Sequence, residues 1–284
     1  MNRLAACTLP AFRPASWDHL ADALELHARA AARGKAGLIL YPEYTSLLLA
    51  GLWEDAENIP AADQLMRLQA FHDDWVSLHR ELARRHGLVV VAGSFPLRHG
   101  DGHLTNRAWI CHPGGRLEHQ DKIMMTRWEA EEWGVLPGEG GLRVVDLGWT
   151  KAVVAICYDV EFPLLVRRGA EAGASLICCP SNTEGWHGYW RVRTGCAARA
   201  LENQCLAVMA PMVGSAPWTC LLGSTVGRAG VFGPIDVGFP EDGVLALGPE
   251  DGGLLLADAP VRRAGSVRRH GQNRNFRDWD RQPR

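Results

Sequence analysis

Short apolar runs alternate with stretches of helical spacing along most of the chain. Arg3 to Thr8 reads as a first strand. Trp17 to Arg33 then places Leu20, Ala23, Leu24, His27, Ala28 and Ala31 at helical spacing, behind Ser16 as N-cap. Lys35-Ala36-Gly37 leads into a strand over Leu38 to Leu40. One long helix is predicted from Ala62 to His86, closed by Gly87. Leu88 to Ser94 and Asn106 to His112 read as strands, the second ending in the turn His112-Pro113-Gly114-Gly115. Gly141 to Leu147 and Lys151 to Ile156 form a hairpin-like pair. Pro163 to Gly173 is a short helix, Ser175 to Cys179 a strand, Tyr189 to Gln204 a helix and Cys205 to Met212 a strand. Gly230 to Phe232, Gly243 to Leu247 and Gly253 to Asp258 complete the second half.

Strands alternate with helices early, and hairpin-type pairs come later. That mixture predicts an α/β fold, a four-layer α-β-β-α sandwich of two mixed sheets with helices outside. Residues 1–260 are read as a single domain. Residues 261–284 are basic and poor in apolar side chains, so they are read as a tail that is extended or packed on a partner subunit.

Composition narrows the function classes. The chain has 284 residues, 47% hydrophobic and 22% charged, which is ordinary for a globular protein. A net charge of −2 favours neither nucleic acid nor an anionic membrane as partner. No apolar run has the length of a spanning helix, and Met1 to Thr8 lacks the features of a signal peptide, so a cytoplasmic location is expected. The eight cysteines form no C-x-x-C pair and are read as reduced thiols. His and Cys show no metal-ligand spacing, so neither a metal nor another cofactor is expected.

Three polar residues stand just beyond predicted strands. Cys157 ends the run Val153-Val154-Ala155-Ile156. Glu43 follows Leu38-Ile39-Leu40-Tyr41-Pro42, and Lys122 follows the strand, turn and strand from Leu104 to Gln120. Open α/β folds place their sites at such strand ends. A free thiol with a pKa near 8.5 is only about 3% thiolate at pH 7, so a catalytic Cys157 needs a base or a cation beside it. Glu43 can be that base if burial raises its pKa. Lys122 can stabilise a thiolate or an oxyanion. Taken singly, each residue is as readily core or surface.

Taken together, the segments resemble the nitrilase superfamily, the carbon–nitrogen hydrolases. The matching pieces are Leu38 to Glu43, Asp121-Lys122, and Ala155-Ile156-Cys157-Tyr158-Asp159 with Phe162-Pro163. Ala92-Gly93-Ser94, Asn106 and the helix Ala198 to Asn203 also match. The resemblance implies a Glu43-Lys122-Cys157 triad and a second glutamate. Glu129 fits the family's Glu-x-x-x-Trp-Gly pattern with Trp133-Gly134, whereas Glu131 and Glu132 fit it less well. It also implies an oxyanion contact from the Tyr158 N–H, with Asp159 as a turn-capping acid. Trp133 and Trp186 are candidate pocket walls, although each is also readable as core.

Cys-Tyr-Asp resembles the amidase branches more than the Cys-Trp-Glu of true nitrilases. The implied reaction is hydrolysis of a small amide through a cysteine thioester, releasing ammonia or an amine. A nitrilase, an N-carbamoyl hydrolase or an idle scaffold are the alternatives. Omega-amidase-like relatives carry Cys-Tyr-Asp-x-Arg-Phe-Pro, and here Glu161 replaces that arginine. Glu161 reads either as a residue that disfavours carboxylate-bearing amides or as a helix N-terminal acid. The family also implies a homodimer.

Overall fold

The computed structural model describes residues 2–283. Its first half is a sheet built around β1 (Arg3–Pro10). β1 pairs in parallel with β2 (Ala36–Leu40), and β2 in parallel with β3 (Val89–Val91). β4 (Phe95–Arg98), β5 (Leu104–Cys111) and β6 (Leu117–Asp121) extend this half, with β5 antiparallel to β3, β4 and β6. Helix α1 (Trp17–Arg33) connects β1 to β2. α2 (Ala61–Leu68) and α3 (His72–His86) lie between β2 and β3. The predicted single helix from Ala62 to His86 is therefore broken at residues 69–71. There Gln69 turns away to hold the β4 edge, donating to the Pro96 carbonyl and accepting from the Arg98 N–H.

A five-residue helix, α4 (Arg127–Glu131), follows β6. The second half then starts with β7 (Val145–Asp146) and β8 (Lys151–Val154), which form an antiparallel pair. A tight turn over Cys157–Glu161 leads into α5 (Pro163–Glu171). β9 (Leu176–Ser181), α6 (Gly185–Asn203) and β10 (Leu206–Ser215) follow, with β9 parallel to both β8 and β10. β11 (Ser224–Thr225), β12 (Gly230–Phe232), β13 (Val244–Leu247) and β14 (Gly253–Asp258) close the sheet, and β14 returns to pair with β1.

Two separate sheets are not what forms. The halves are joined where Leu9 and Pro10 of β1 pair with Met212 and Val213 of β10, giving one continuous sheet of fourteen strands. That sheet curls so that its halves share a core. Alternate residues of its strands point to opposite sides. Leu4, Ala6, Leu38, Leu40, Val89 and Val91 pack with residues of β8, β9 and β10. Ala5, Cys7, Ile39 and Val90 face the other way, toward Leu20, Leu24 and Ala28 of α1 and Trp75 and Leu82 of α3.

In the tail, Val261–His270 forms helix α7 rather than an extended segment. Ala264 and Val267 supply a small apolar face, and Arg268 donates to the Asn203 carbonyl. Beyond α7, the Phe276 ring lies 4.1 Å from the guanidinium carbons of both Arg167 and Arg268. Arg167 also donates to the Phe276 carbonyl at 2.7 Å. Cation–π contacts and backbone bonds compensate for the few apolar residues of this segment.

Candidate active site

The loop after β2 delivers Glu43. Pro42 follows the strand end at Leu40, and Tyr44 turns the chain with a left-handed φ of 57°. The turn is held to the loop after β3: the Tyr44 N–H donates to Ser94 Oγ at 2.9 Å, and Ser46 Oγ to the Ser94 carbonyl at 2.9 Å. Gly93, at φ +68°, brings that loop against the Pro42 carbonyl, where a Cβ would collide.

Lys122 follows β6 directly. Its N–H donates to the Asn106 carbonyl at 2.8 Å, and its carbonyl accepts from Gly138 at 2.7 Å. Its buried Nζ donates to Glu43 Oε1 at 2.8 Å and to Glu129 Oε2 at 2.6 Å. Glu129 is placed by α4 and is saturated with donors. Oε2 also accepts from the Thr126 N–H and Oγ1, and Oε1 from the Tyr44 hydroxyl and Asn106 Nδ2. Asn106 Nδ2 bonds Glu43 Oε1 as well, at 3.0 Å, so one amide ties the two carboxylates together.

Cys157 opens the turn after β8. It is 5% exposed and has a left-handed φ of 48°, rare for a residue with a Cβ. Strain of this kind persists only where the surroundings fix it. The thiol lies 3.8 Å from the Asn182 carbonyl, within the electrostatic reach of Glu43 and Lys122. Asp159 accepts from the N–H groups of Ile123 (3.1 Å), Met124 (2.7 Å) and Ile156 (3.0 Å).

The electrostatics divide these groups into residents and a mobile proton. Burial alone would depress the Lys122 pKa, but the Glu129 and Glu43 carboxylates hold it well above the usual lysine value. Burial would raise Glu129, but Lys122 and the Thr126 donors hold it below its ordinary value. Those two form a fixed ion pair. Glu43 is raised, by burial first and then by the charge of Glu129, with Lys122 opposing. Burial and the Glu43 charge also push the Cys157 thiol well above its usual value, so the resting group is a neutral thiol beside a carboxylate. Burial lifts the Asp159 carboxyl to about 7, against Lys122 and its three amide donors.

A buried thiol, a carboxylate of raised proton affinity and a fixed ammonium can move a proton and stabilise the negative charge that follows. The family model for carbon–nitrogen hydrolases matches residues 3–248. The chain belongs to the carbon–nitrogen hydrolase family. It is 30% identical over 265 residues to the probable hydrolase YhcX of Bacillus subtilis, covering 93% of this chain and 50% of that protein. It is 28% identical over 225 residues to the deaminated glutathione amidase of Rattus norvegicus, covering 74% and 65%. The chain thus spans half to about two thirds of the length of these curated relatives. Among solved structures, a mutant of the Nesterenkonia AN1 amidase of the nitrilase superfamily superposes with a TM-score of 0.71 at 26% identity, covering 94% of this chain and 95% of that one. Another mutant of that amidase carries acrylamide added at its active site cysteine.

Within this carbon–nitrogen hydrolase, Glu43, Lys122, Glu129 and Cys157 come together in one buried cluster. Tyr158 follows the thiol, its ring edge-on to Phe162 at 4.8 Å. Trp133 packs on Trp128 at 4.3 Å and on Tyr44 at 5.5 Å, and the Tyr44 hydroxyl in turn bonds Glu129. Glu161 and Trp186 are not bonded to the cluster. Glu161 lies 3.5 Å from Arg191 of α6 and lines an outer groove of about 640 Å³ with His187 and Trp190. Trp186 is 46% exposed, edge-on to Tyr189. Tyr44, Thr126 and Asn182 were not expected in the site. Only Thr126 had a readable signal, Thr-x-x-Glu ahead of α4, in which the glutamate reaches back to the Thr126 N–H.

Among the described residues, no helix is long and apolar enough to cross a membrane.

Proposed function

We propose that the chain is an amidase that hydrolyses small amides through a thioester on Cys157. The observation that carries this reading is the buried Glu43–Lys122–Glu129 network gathered with Cys157. Glu43 takes the Sγ proton as the sulfur attacks the carbonyl carbon. Lys122 and the Tyr158 N–H face the oxygen on which negative charge develops. A unit charge about 4 Å away is worth roughly 4 kcal/mol at an effective dielectric of 20. The C–N bond then breaks and the nitrogen departs with the proton held by Glu43, leaving a thioester. Water attacks that thioester with Glu43 as base, the acid leaves, and the thiol regains its proton.

Two anionic carboxylates around one ammonium leave the cluster with a net negative charge, so uncharged or cationic amides fit it better than anionic ones. Glu161 adds little to this preference, because its charge is paired with Arg191. The four-layer reading applies only with the two halves of one curled sheet, which share a core, taking the place of two separate sheets. The test is mass spectrometry during turnover of simple aliphatic amides. An acyl adduct on Cys157, absent with ammonia release from Cys157→Ala, is expected. Full ammonia release by Cys157→Ala sinks the proposal, and turnover of nitriles alone replaces it with a nitrilase.

A further inference from the structure

We propose that Asp159 is a positioning residue that locks the lysine loop to the cysteine turn and thereby sets the distance between Lys122 and Cys157. The inference rests on the amidase reading of Cys157 given above. Asp159 is fully buried, and its carboxylate spends one oxygen on each element. Oδ1 accepts from the N–H groups of Ile123 and Met124, the two residues that follow Lys122. Oδ2 accepts from the N–H of Ile156, the residue that precedes Cys157.

A local turn cap would account for the Ile156 bond alone. It would not account for two bonds to residues 35 and 36 positions away in the chain. Those bonds join strand ends from opposite halves of the curled sheet, β6 in the first and β8 in the second. Among the described residues, the halves pair where β1 meets β10 at Leu9–Pro10 and along β1 with β14, and no ladder joins β6 to β8, so the candidate site straddles a seam with no ladder of its own. Asp159 crosses that seam. It also bears on Cys157 directly, because the thiol residue is held at φ 48° and that conformation needs restraint on both sides. The Ile156 bond fixes the preceding side. On the following side, α6 packs against the turn, with Gly195 against Val160 and Arg199 Nη1 donating to the Val160 carbonyl.

The chemistry explains why the residue is an acid. One carboxylate can receive three amide protons converging from two directions. An amide in the same place keeps one acceptor oxygen and turns an N–H₂ group toward the remaining donor. Asp159→Asn therefore leaves Ile123 and Met124 served, or Ile156 served, but not both, and the seam opens on the other side.

The experiment compares Asp159→Asn with the unaltered protein in amide turnover and in iodoacetamide labelling of Cys157. A displacement of about 1 Å between reacting groups costs roughly 100-fold in rate. The expected result is a kcat lower by about that factor with KM little changed, and labelling slowed by about tenfold as the thiol leaves its base. An Asp159→Asn protein that unfolds at a lower temperature yet keeps kcat and labelling overturns the proposal, because it shows a purely structural cap. If Asp159→Asn does not fold, Asp159→Glu serves. It keeps the charge and both oxygens but shifts them by one methylene, and unchanged kcat in that variant overturns the proposal equally. The Cys157→Ala control separates the two claims. An inactive Cys157→Ala beside a fully active Asp159 variant removes only the positioning role, whereas an active Cys157→Ala removes the amidase reading itself.

Discussion

Glu129→Gln is the sharpest perturbation of the cluster, because it changes one charge and almost no volume. In one orientation the glutamine oxygen keeps the Tyr44 hydroxyl and Asn106 Nδ2, and its N–H₂ faces three donors: Lys122 Nζ, the Thr126 N–H and Thr126 Oγ1. In the other orientation the oxygen serves Lys122 and Thr126, and the N–H₂ meets Asn106 Nδ2. Asn106 could turn its unpartnered Oδ1 toward the new donor, but that would set the oxygen against Glu43 Oε1. Every arrangement therefore removes at least one hydrogen bond from a buried donor, and Lys122 loses one of its two carboxylate partners. Breaking a buried pair of this kind costs about 3–5 kcal/mol. At about 2 °C per kcal/mol for a chain of this size, the melting temperature should fall by roughly 6–10 °C. Activity should suffer further. Lys122 retains only Glu43 as a carboxylate partner, so its ammonium is drawn toward the base, and loss of one oxyanion donor costs about 100-fold or more in kcat. Removing the Glu129 charge also removes one influence that raises Glu43, so the acid limb of the pH profile should move to lower pH. Thermal unfolding, kcat and KM for a small amide, and the pH profile of ammonia release measure all three effects. A Glu129→Gln protein with unaltered melting temperature and kcat would refute the reasoning.

Two further predictions concern the base and the loop that carries it. In the unaltered protein, kcat/KM should fall on the acid side with an apparent pKa above the ordinary glutamate value of about 4.3, because Glu43 must be anionic to accept the thiol proton and burial raises it. For stability the sign is opposite: the folded chain binds this proton more readily than the unfolded one, so the Glu43 contribution is full below the unfolded value and is lost as pH rises through the folded one. Glu129, held below its ordinary value, contributes above the unfolded pKa and loses that contribution as pH falls through the folded one. An acid limb of ammonia release at or below about 4.3 would contradict the burial argument. Gly93→Ala should destabilise the protein by more than about 2 kcal/mol, since it adds a Cβ at left-handed φ against the Pro42 carbonyl. It should also lower kcat by moving Glu43, and chemical unfolding together with turnover checks both. A variant as stable and active as the parent would show that the Pro42–Gly93 approach is not required.

The three residues at strand ends were legible because the period of the chain is. Strands of period two and helices of period 3.6 fix where an element stops, and Glu43, Lys122 and Cys157 each stand where one stops. What joins two stops was not legible. Asn106 binds both carboxylates from the middle of β5, Tyr44 reaches Glu129 across 85 residues, and Asp159 reaches Met124 across 35. Periodicity says which face a side chain takes and nothing about the partner opposite it. The same limit hid the continuity of the sheet. The β1–β10 pairing that joins it is two residue pairs, too short to mark either strand as different from its neighbours. It hid the tail as well, since α7 and Phe276 are held by arginines on α5 and α7 rather than by an apolar stripe. Glu161 makes the point from the other side. Its place next to the cysteine segment was readable as a residue that disfavours carboxylate-bearing amides or as a helix N-terminal acid, and the turn sets Glu161 beside Arg191 while Asp159 faces inward. Two acids two residues apart thus have opposite fates, and the turn geometry that separates them begins at the left-handed φ of Cys157 itself. The conformation that presents the thiol also decides which neighbouring acid can support it.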